Sequence, residues 1–172
     1  MRKKSGSIAV AMFFGVLAAS PLAQEARRQT PPPPPPAKHV MHNAADLKWG
    51  PAPPGLPPGA QTAVVEGDPA VKGRPFVIRA KMSDGYRVPP HWHPTDENVT
   101  VLSGTLMAGT GDKFDQASMT ALTAGGFSNM KANLRHYVQA KGETVIQVHG
   151  VGPFAITYVN PADDPRKKTE AK

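Results

Sequence analysis

The sequence predicts an all-β domain, an antiparallel sandwich or barrel, in the middle of the chain. Short apolar runs alternate with clusters of turn residues such as those at 67–69 and 83–85, and this spacing is typical of antiparallel strands rather than of parallel strands linked by helices. Asp115 to Leu122 is the one helical prediction, because Asp115 can cap a turn and Met119 and Leu122 fall on one helical face. The predicted strands are residues 62–66, 76–82, 86–91, 98–103, 105–108, 126–130, 136–139, 143–149 and 154–159.

The first 23 residues have the pattern of a secretory signal peptide. Three basic residues, 2–4, precede an uncharged apolar run from Ile8 to Ala19, and small residues follow as far as Ala23. The run is too short to span a bilayer comfortably. We predict cleavage near Ala23, a periplasmic or secreted location and no stable membrane insertion after signal removal. A retained signal anchor is the alternative, because Pro21 lies in the recognition region.

The remaining chain divides by composition into a linker, a domain and a tail. Residues 24–45 form a proline-rich linker, and its six consecutive prolines are held extended as a semi-rigid spacer. Residues 46–162 are the predicted domain, which opens on an irregular proline- and glycine-rich arm with Trp49 and Leu56 as its anchors. Residues 163–172 form a basic tail. We predict a solvated end, with weak attachment to an acidic surface as the alternative.

Composition excludes several classes of function. The chain has no cysteine, so it has neither disulfides nor thiolates for structural zinc, and any metal must bind nitrogen and oxygen ligands. The net charge is +7, yet residues 40–162 contain ten Lys or Arg against nine Asp or Glu. The predicted domain is therefore nearly neutral, which argues against a groove that follows nucleic-acid phosphates.

The candidate metal ligands lie together between two glycines in a β-rich stretch. His91 and His93 are two residues apart, so on a strand they project from one face. Glu97 has the same parity, but Pro94 interrupts the strand, and a turn must bring the carboxylate back toward the imidazoles. Two imidazoles and a carboxylate suit divalent first-row metals, and open positions beside them suit oxygen chemistry or water activation. A hydrogen-bonded polar cluster without metal is the alternative.

The spacing of this stretch resembles the first conserved motif of the cupin superfamily. Gly85 is followed after five residues by His91-x-His93, after three more by Glu97 and after six more by Gly104. All five fixed positions of the motif agree. The resemblance covers about residues 60 to 160 and is to small, single-domain, exported bacterial cupins.

The stretch from Gly125 to His136 resembles the second cupin motif, with departures. These two residues stand where the family has its glycine and its fourth metal ligand. Lys131 replaces the usual proline, Asn133 the usual glycine and Ala140 the asparagine that often follows. Asparagine tolerates a left-handed backbone better than most residues. The resemblance therefore implies that His136 is the fourth ligand.

The resemblance implies a double-stranded β-helix, the cupin or jelly-roll barrel, with a metal in its mouth. One divalent transition metal, iron, manganese, nickel or zinc, would bind His91, His93, Glu97 and His136. Glu97 would double as the catalytic proton acceptor, as resemblance to flavonol-cleaving dioxygenases implies. Many small cupins pair through their N-terminal segments, so a homodimer is a further expectation.

Three functions stay open, because this barrel hosts many unrelated activities. The first hypothesis is a metal-dependent enzyme, oxygenase-like, that acts on a small organic substrate; hydrolysis and isomerisation would use the same ligands. The second is a non-catalytic periplasmic protein that binds or senses a metal or a small molecule. The third, a purely structural protein, requires that the cluster hold no metal.

Other polar residues near the motifs have two interpretations each. His149 ends an apolar strand before Gly150, and it is either a partly buried histidine with satisfied hydrogen bonds or a substrate contact in the pocket. Arg79, Lys81 and Arg87 form either a solvent face or a capture site for an acidic substrate. The predicted core consists of apolar strand residues: Val99, Val101, Leu106, Val138, Val145, Ile146, Val148, Ile156 and Val159.

Overall fold

The computed structural model describes residues 39–169. The predicted signal peptide and the proline run lie outside this range. Within it, no helix is both long and apolar enough to cross a membrane. The described residues form nine strands: β1 (Gly50–Pro51), β2 (Ala60–Glu66), β3 (Pro75–Met82), β4 (Arg87–Trp92), β5 (Glu97–Thr110), β6 (Thr120–Thr123), β7 (Phe127–Met130), β8 (His136–Val151) and β9 (Thr157–Tyr158).

The strands form one curled antiparallel sheet. The two long strands, β5 and β8, pair with each other from Asn98 opposite His149 to Thr110 opposite His136. Strand β8 also pairs with β3 and β4, whereas β5 also pairs with β6 and β7. Because each long strand has different neighbours along its length, the sheet closes around an interior. The predicted all-β double-stranded β-helix is confirmed.

Two predicted strand breaks are bends inside continuous strands. We predicted separate strands on either side of Gly104 and of residues 140–142, but β5 and β8 run through both places. Gly104 has φ of 75°, and the pairing register shifts around it. A side chain at Gly104 would collide with the carbonyl oxygen of Glu143, so the glycine allows a bulge that bends the strand without ending it.

The helical prediction was right about the cap and wrong about the length. The Asp115 side chain accepts a hydrogen bond from the Ala117 backbone N–H at 3.0 Å, and a single 3₁₀ turn covers Gln116–Ser118. Strand β6 follows immediately and pairs with β5. Tertiary pairing therefore overrides the helical spacing of Met119 and Leu122. The other helical segments are also short: Ala44–Asp46, Pro161–Asp163 and the α-helix α1 (Pro165–Thr169).

The core fills the interior of the curled sheet. Six predicted core residues are at most 9% exposed: Val99, Val101, Leu106, Val138, Ile146 and Val148. Full burial of such a side chain contributes about 1.5–3 kcal/mol to stability. Ile156 is partly buried and packs against this cluster, while Val145 and Val159 are of intermediate exposure.

The proline- and glycine-rich arm lies against the barrel and is tied to it by two tyrosines. The Tyr86 hydroxyl donates to the Pro57 carbonyl oxygen at 2.7 Å, and the Tyr158 hydroxyl donates to that of Gly55 at 2.8 Å. Burial raises the pKa of Tyr86 to about 12 and also raises the pKa of Tyr158, so both hydroxyls remain protonated donors. Leu56 packs on the core as predicted. The other predicted anchor, Trp49, lies 4.7 Å from the ammonium group of Lys81.

Candidate metal centre

Three histidine rings meet where β4 ends and β8 begins. His91 lies near the end of β4 and pairs across the sheet with His136, the first residue of β8, while His93 directly follows β4. The ring centroids of His91 and His136 are 4.2 Å apart. The ring centroid of His93 lies 5.0 Å from that of His91 and 5.3 Å from that of His136. One ring nitrogen from each histidine lies within 4.8 Å of the other two. The three rings could together hold a metal ion.

Glu97 joins this cluster from the first position of β5. Its Oε2 atom lies 3.2 Å from Nε2 of His136 and 3.6 Å from Nε2 of His93. The bend at residues 94–96 turns the chain back, as the sequence requires after Pro94. The structure therefore brings together all four residues that the sequence named as ligands, and each is at most 9% exposed.

Backbone carbonyl groups fix the orientation of all three rings. Nδ1 of His91 lies 2.7 Å from the Pro89 carbonyl oxygen, and Nδ1 of His136 lies 2.9 Å from that of Leu134. Nδ1 of His93 lies 2.8 Å from the Ala155 carbonyl oxygen. A carbonyl oxygen can only accept, so each Nδ1 carries the proton and each neutral ring presents an unprotonated Nε2. Metal-binding histidines are commonly held in this way.

Two of the inward-facing nitrogens lack hydrogen-bond partners within the described residues. Nε2 of His93 and Nε2 of His136 are buried without a hydrogen bond. Although Glu97 Oε2 is 3.2 Å from Nε2 of His136, a carboxylate oxygen and an unprotonated nitrogen both offer lone pairs and cannot bond each other directly. Orphaned buried acceptors are costly. A cation placed among them would satisfy all of these lone pairs, so the residues present fit a metal ion.

Burial keeps the first two imidazoles neutral. It holds the pKa of His91 well below the ordinary value of 6.5, and positive charge on His136 or His93 would lower that pKa further. Burial also lowers the pKa of His93, although the Glu97 carboxylate opposes the shift. Neutral imidazole is the form that binds metal ions.

Comparison with known families identifies the chain. Residues 22–157 match the sequence model of a family described as a domain of unknown function (DUF4437). The chain belongs to this DUF4437 family. Comparison with curated protein sequences finds no match.

Solved structures with the same fold include several cupins. The chain is similar to the polyketide cyclase RemF from Streptomyces resistomycificus, with 17% identity over 77% of this chain and 94% of that one and a TM-score of 0.60. A candidate acetylacetone dioxygenase from Methylibium petroleiphilum PM1 has 16% identity, coverage of 76% and 88%, and a TM-score of 0.58. An RmlC-like cupin from Shewanella frigidimarina NCIMB 400 has 11% identity, coverage of 67% and 91%, and a TM-score of 0.52. Identities this low establish the fold alone: this DUF4437 member has the cupin fold.

An apolar cavity adjoins the candidate metal centre. Its volume is about 220 Å³, and the three histidines and Glu97 form part of its wall. Most of the remaining wall comes from aliphatic core residues, and the arm contributes Pro53, Gly55 and Leu56. The centre therefore faces a space in which a small molecule could lie beside a metal ion.

Several polar residues that the sequence singled out lie away from this cavity. His149 is not among the lining residues, and strand alternation directs its side chain to the sheet face opposite Val148, which does line the cavity. The predicted substrate contact at His149 is thus not made in this cavity. Arg79 donates to the Gln147 side-chain oxygen at 3.1 Å, and the Arg87 guanidinium lies 5.0 Å from the Phe114 ring. Neither arginine lines the cavity.

Sequence reasoning missed the contacts that hold residues 131–136, the second loop of the site. The Asp96 side chain accepts hydrogen bonds from Lys131 Nζ and from the Ala132 backbone N–H, both at 2.9 Å. The Asn133 backbone N–H donates to the His93 carbonyl oxygen at 2.8 Å. These partners are more than thirty residues apart in the chain, so no local pattern could have indicated them. The only signal in the sequence was that Lys131 and Asn133 differ from the usual residues of the second cupin motif.

Proposed function

We propose that this DUF4437 protein is a metal-dependent enzyme that acts on a small organic substrate, with oxygenase chemistry as its reaction class. The observation that carries the proposal is the pair of buried Nε2 atoms of His93 and His136 that lack hydrogen-bond partners and face the Glu97 carboxylate. Such an arrangement is costly without a cation and favourable with one.

The proposed roles follow from the atoms that each residue presents. His91, His93 and His136 would bind one divalent ion, iron, manganese, nickel or zinc, through their inward nitrogens, and Glu97 would be the fourth ligand. When bound, such an ion supplies Lewis acidity and open positions for substrate and for oxygen or water. The carbonyl groups of Pro89, Leu134 and Ala155 would keep the three rings in place.

Glu97 is also the group that we propose as the proton acceptor. Its Oε2 atom lies within 3.6 Å of two ring nitrogens and forms part of the cavity wall. A substrate hydroxyl beside the metal would lie within reach of this oxygen, so the carboxylate would take the proton as the substrate binds. A phenolic or enolic compound has such a proton.

Two proteins with the same fold support an enzyme on organic compounds. One is a polyketide cyclase and the other a candidate acetylacetone dioxygenase. The support is limited to the fold, because one barrel hosts many chemistries. The nitrogen and oxygen donors suit hydrolysis and isomerisation as well, so the preference for oxygenase chemistry comes from the resemblance of the ligand set to that of flavonol-cleaving dioxygenases.

We also propose that the protein is exported and is free of membrane after signal removal. The charge pattern of residues 1–23 supports this location. The mass of the mature chain recovered from the periplasmic fraction would test it, with loss of about 23 residues as the expected result. A full-length chain that stays with the membrane fraction would indicate a retained anchor. Formation of a homodimer through the arm stays a prediction that sedimentation analysis would check.

The decisive experiment combines metal analysis with turnover. We expect about one equivalent of a transition metal per chain in protein purified from its native compartment. We also expect oxygen consumption with a panel of phenolic and enolic compounds. The variant Glu97→Gln keeps the size of the side chain but removes the carboxylate that we propose as both metal ligand and proton acceptor, and it should lose turnover. Metal content below about 0.1 equivalent after incubation with iron, manganese, nickel and zinc would refute a metal site. Full metal loading and ligand binding without turnover would instead support a carrier or sensor.

A further inference from the structure

We infer that the cavity binds an uncharged, largely apolar molecule about the size of one substituted ring, with its polar atoms gathered at a single head. The inference rests on the proposed function only for the groups that the polar head of the ligand contacts. The shape and polarity of the cavity wall do not depend on a metal.

The wall contains very few polar groups, and most of these lie in one place. Among the lining residues, which all belong to the described part of the chain, six carry polar side-chain atoms: Thr62, Tyr86, His91, His93, Glu97 and His136. Four of the six form the compact metal centre. The Tyr86 hydroxyl already donates to the Pro57 carbonyl oxygen. A ligand that fills the cavity therefore meets hydrogen-bonding partners almost entirely at the centre.

The charges on the wall exclude an anionic tail. Glu97 is the one lining residue that carries a charge, and no lysine or arginine lines the cavity. A carboxylate or phosphate directed into the aliphatic wall would lose its hydration without gaining a partner, which is strongly unfavourable. A carbohydrate would fail for a related reason, because its many hydroxyl groups would lack acceptors and donors there. Apart from the hydroxyl groups of Thr62 and Tyr86, the polar atoms of a ligand find partners among the lining side chains only beside the histidines and Glu97.

The volume sets the size of the ligand. Apolar cavities of about 150 Å³ stay dry and bind benzene, and this cavity holds about 220 Å³. The additional space suits a ring with one or two small substituents, or an aliphatic molecule of similar bulk. Burial of the apolar part would supply most of the affinity, and the polar head would fix the orientation.

Two pairs of probes test the inference on the full chain. In the first, toluene is added to protein stripped of metal with EDTA, and we expect saturable binding with a rise in melting temperature of about 3 °C or more. In the second, 4-methylcatechol is compared with 3,4-dihydroxybenzoate on zinc-loaded protein, where zinc avoids redox reactions. Both have the same chelating head and differ only in a methyl or carboxylate group. We expect the methyl compound to bind at least about tenfold more tightly.

Replacement of single alanines by leucine, inside and outside the cavity, locates the binding site. Ala80→Leu fills part of the cavity from β3, whereas Ala121→Leu makes the same change on the exposed face of β6. Toluene binding should be lost in the first variant and kept in the second. If Ala80→Leu does not fold, Ala60→Leu fills the cavity from the neighbouring strand β2. Both filled variants should still bind zinc if they fold.

The outcomes separate this inference from the proposed function. Toluene binding that depends on Ala80 in a protein that binds no metal would refute the metal site and leave the cavity inference intact. Full zinc binding without any toluene binding, or equal affinity for the two catechols, would overturn the inference and leave the metal site intact.

Discussion

Two loops place side chains at the candidate metal centre, and their sequences differ in how closely they match the cupin motifs. The first loop, residues 91–97, carries His91, His93 and Glu97 at the spacing that the cupin resemblance requires. The second loop, residues 131–136, carries only His136, and it lacks the usual proline and glycine of the second cupin motif. Nevertheless His136 reaches the cluster, and its ring centroid lies 4.2 Å from that of His91.

Contacts with the first loop replace the missing local residues in the second. The Asp96 carboxylate accepts hydrogen bonds from Lys131 Nζ and the Ala132 backbone N–H. The His93 carbonyl oxygen accepts one from the Asn133 backbone N–H. Asn133 itself has φ of 65°, the left-handed conformation for which glycine is usual. The comparison teaches that a loop's shape can be supplied by its neighbours, whereas a ligand atom must be supplied by the residue at that position.

The largest effect should follow loss of a ligand from either loop. We expect His91→Ala and His136→Ala each to weaken metal binding by more than the ~10–100-fold that loss of an outer supporting contact costs. The cause is that both residues bind the same ion in the proposed site. His149→Ala is the matched control and should bind metal normally, because His149 does not line the cavity. Competition with a chromophoric chelator measures the affinities. Unchanged affinity in the His136 variant would mean that the second loop does not belong to the site.

Acid should destabilise the metal-free protein through the first loop. Burial lowers the folded-state pKa values of His91 and His93 below 6.5. Below that pH the two imidazoles bind protons in the unfolded chain but not in the folded chain. The free energy of unfolding therefore falls as the pH falls, and it is nearly constant above about pH 7. Urea unfolding of EDTA-treated protein between about pH 5 and pH 8 measures this. His91→Asn should flatten the curve; an equally steep curve would assign the effect to other groups.

The sequence predicted most of the sheet but not its continuity. Turn residues indicated where chain direction changes, yet a glycine at a bulge and a glycine at a turn look alike in a sequence. Gly104 and Gly142 both have positive φ, and both lie inside long strands because their neighbours stay paired. Pairing between distant strands decides this, and it likewise makes residues 120–123 a strand rather than a helix.

The sequence indicated the candidate ligands better than the contacts that hold them in place. The sequence could indicate His91, His93 and Glu97 because they lie within seven residues of each other, so their spacing is visible in one short stretch. The pairing of Asp96 with Ala132 joins residues 36 positions apart, and only the curled sheet brings them together. The cavity was beyond prediction for the same reason, since its wall combines residues from the arm and from most of the strands.

Loss of the Asp96 contacts should weaken metal binding without removing a ligand. We expect Asp96→Ala to reduce affinity by about tenfold, because the second loop would lose two of the bonds that position His136. Asp96→Asn keeps one acceptor oxygen and should restore most of the affinity. Lys131→Ala tests the ion pair alone, and its effect should be small because the side chains are 73% and 43% exposed. Full affinity in Asp96→Ala would show that Asn133 and His93 are sufficient to hold the loop.

The smallest expected effect concerns the backbone of Asn133. Its side chain is exposed, so substitutions there act mainly through the left-handed conformation. Asn133→Ala should destabilise the protein by about 1 kcal/mol, because a β-carbon is disfavoured at positive φ and alanine lacks the polar group with which asparagine offsets this. Asn133→Gly, which introduces the usual residue of the second cupin motif, should be neutral or slightly stabilising. Urea unfolding compares the three proteins, and metal affinity at low temperature should be unchanged in all of them. If the alanine variant were as stable as the parent, the loop would owe its shape entirely to Asp96 and the His93 carbonyl, and the asparagine would be replaceable.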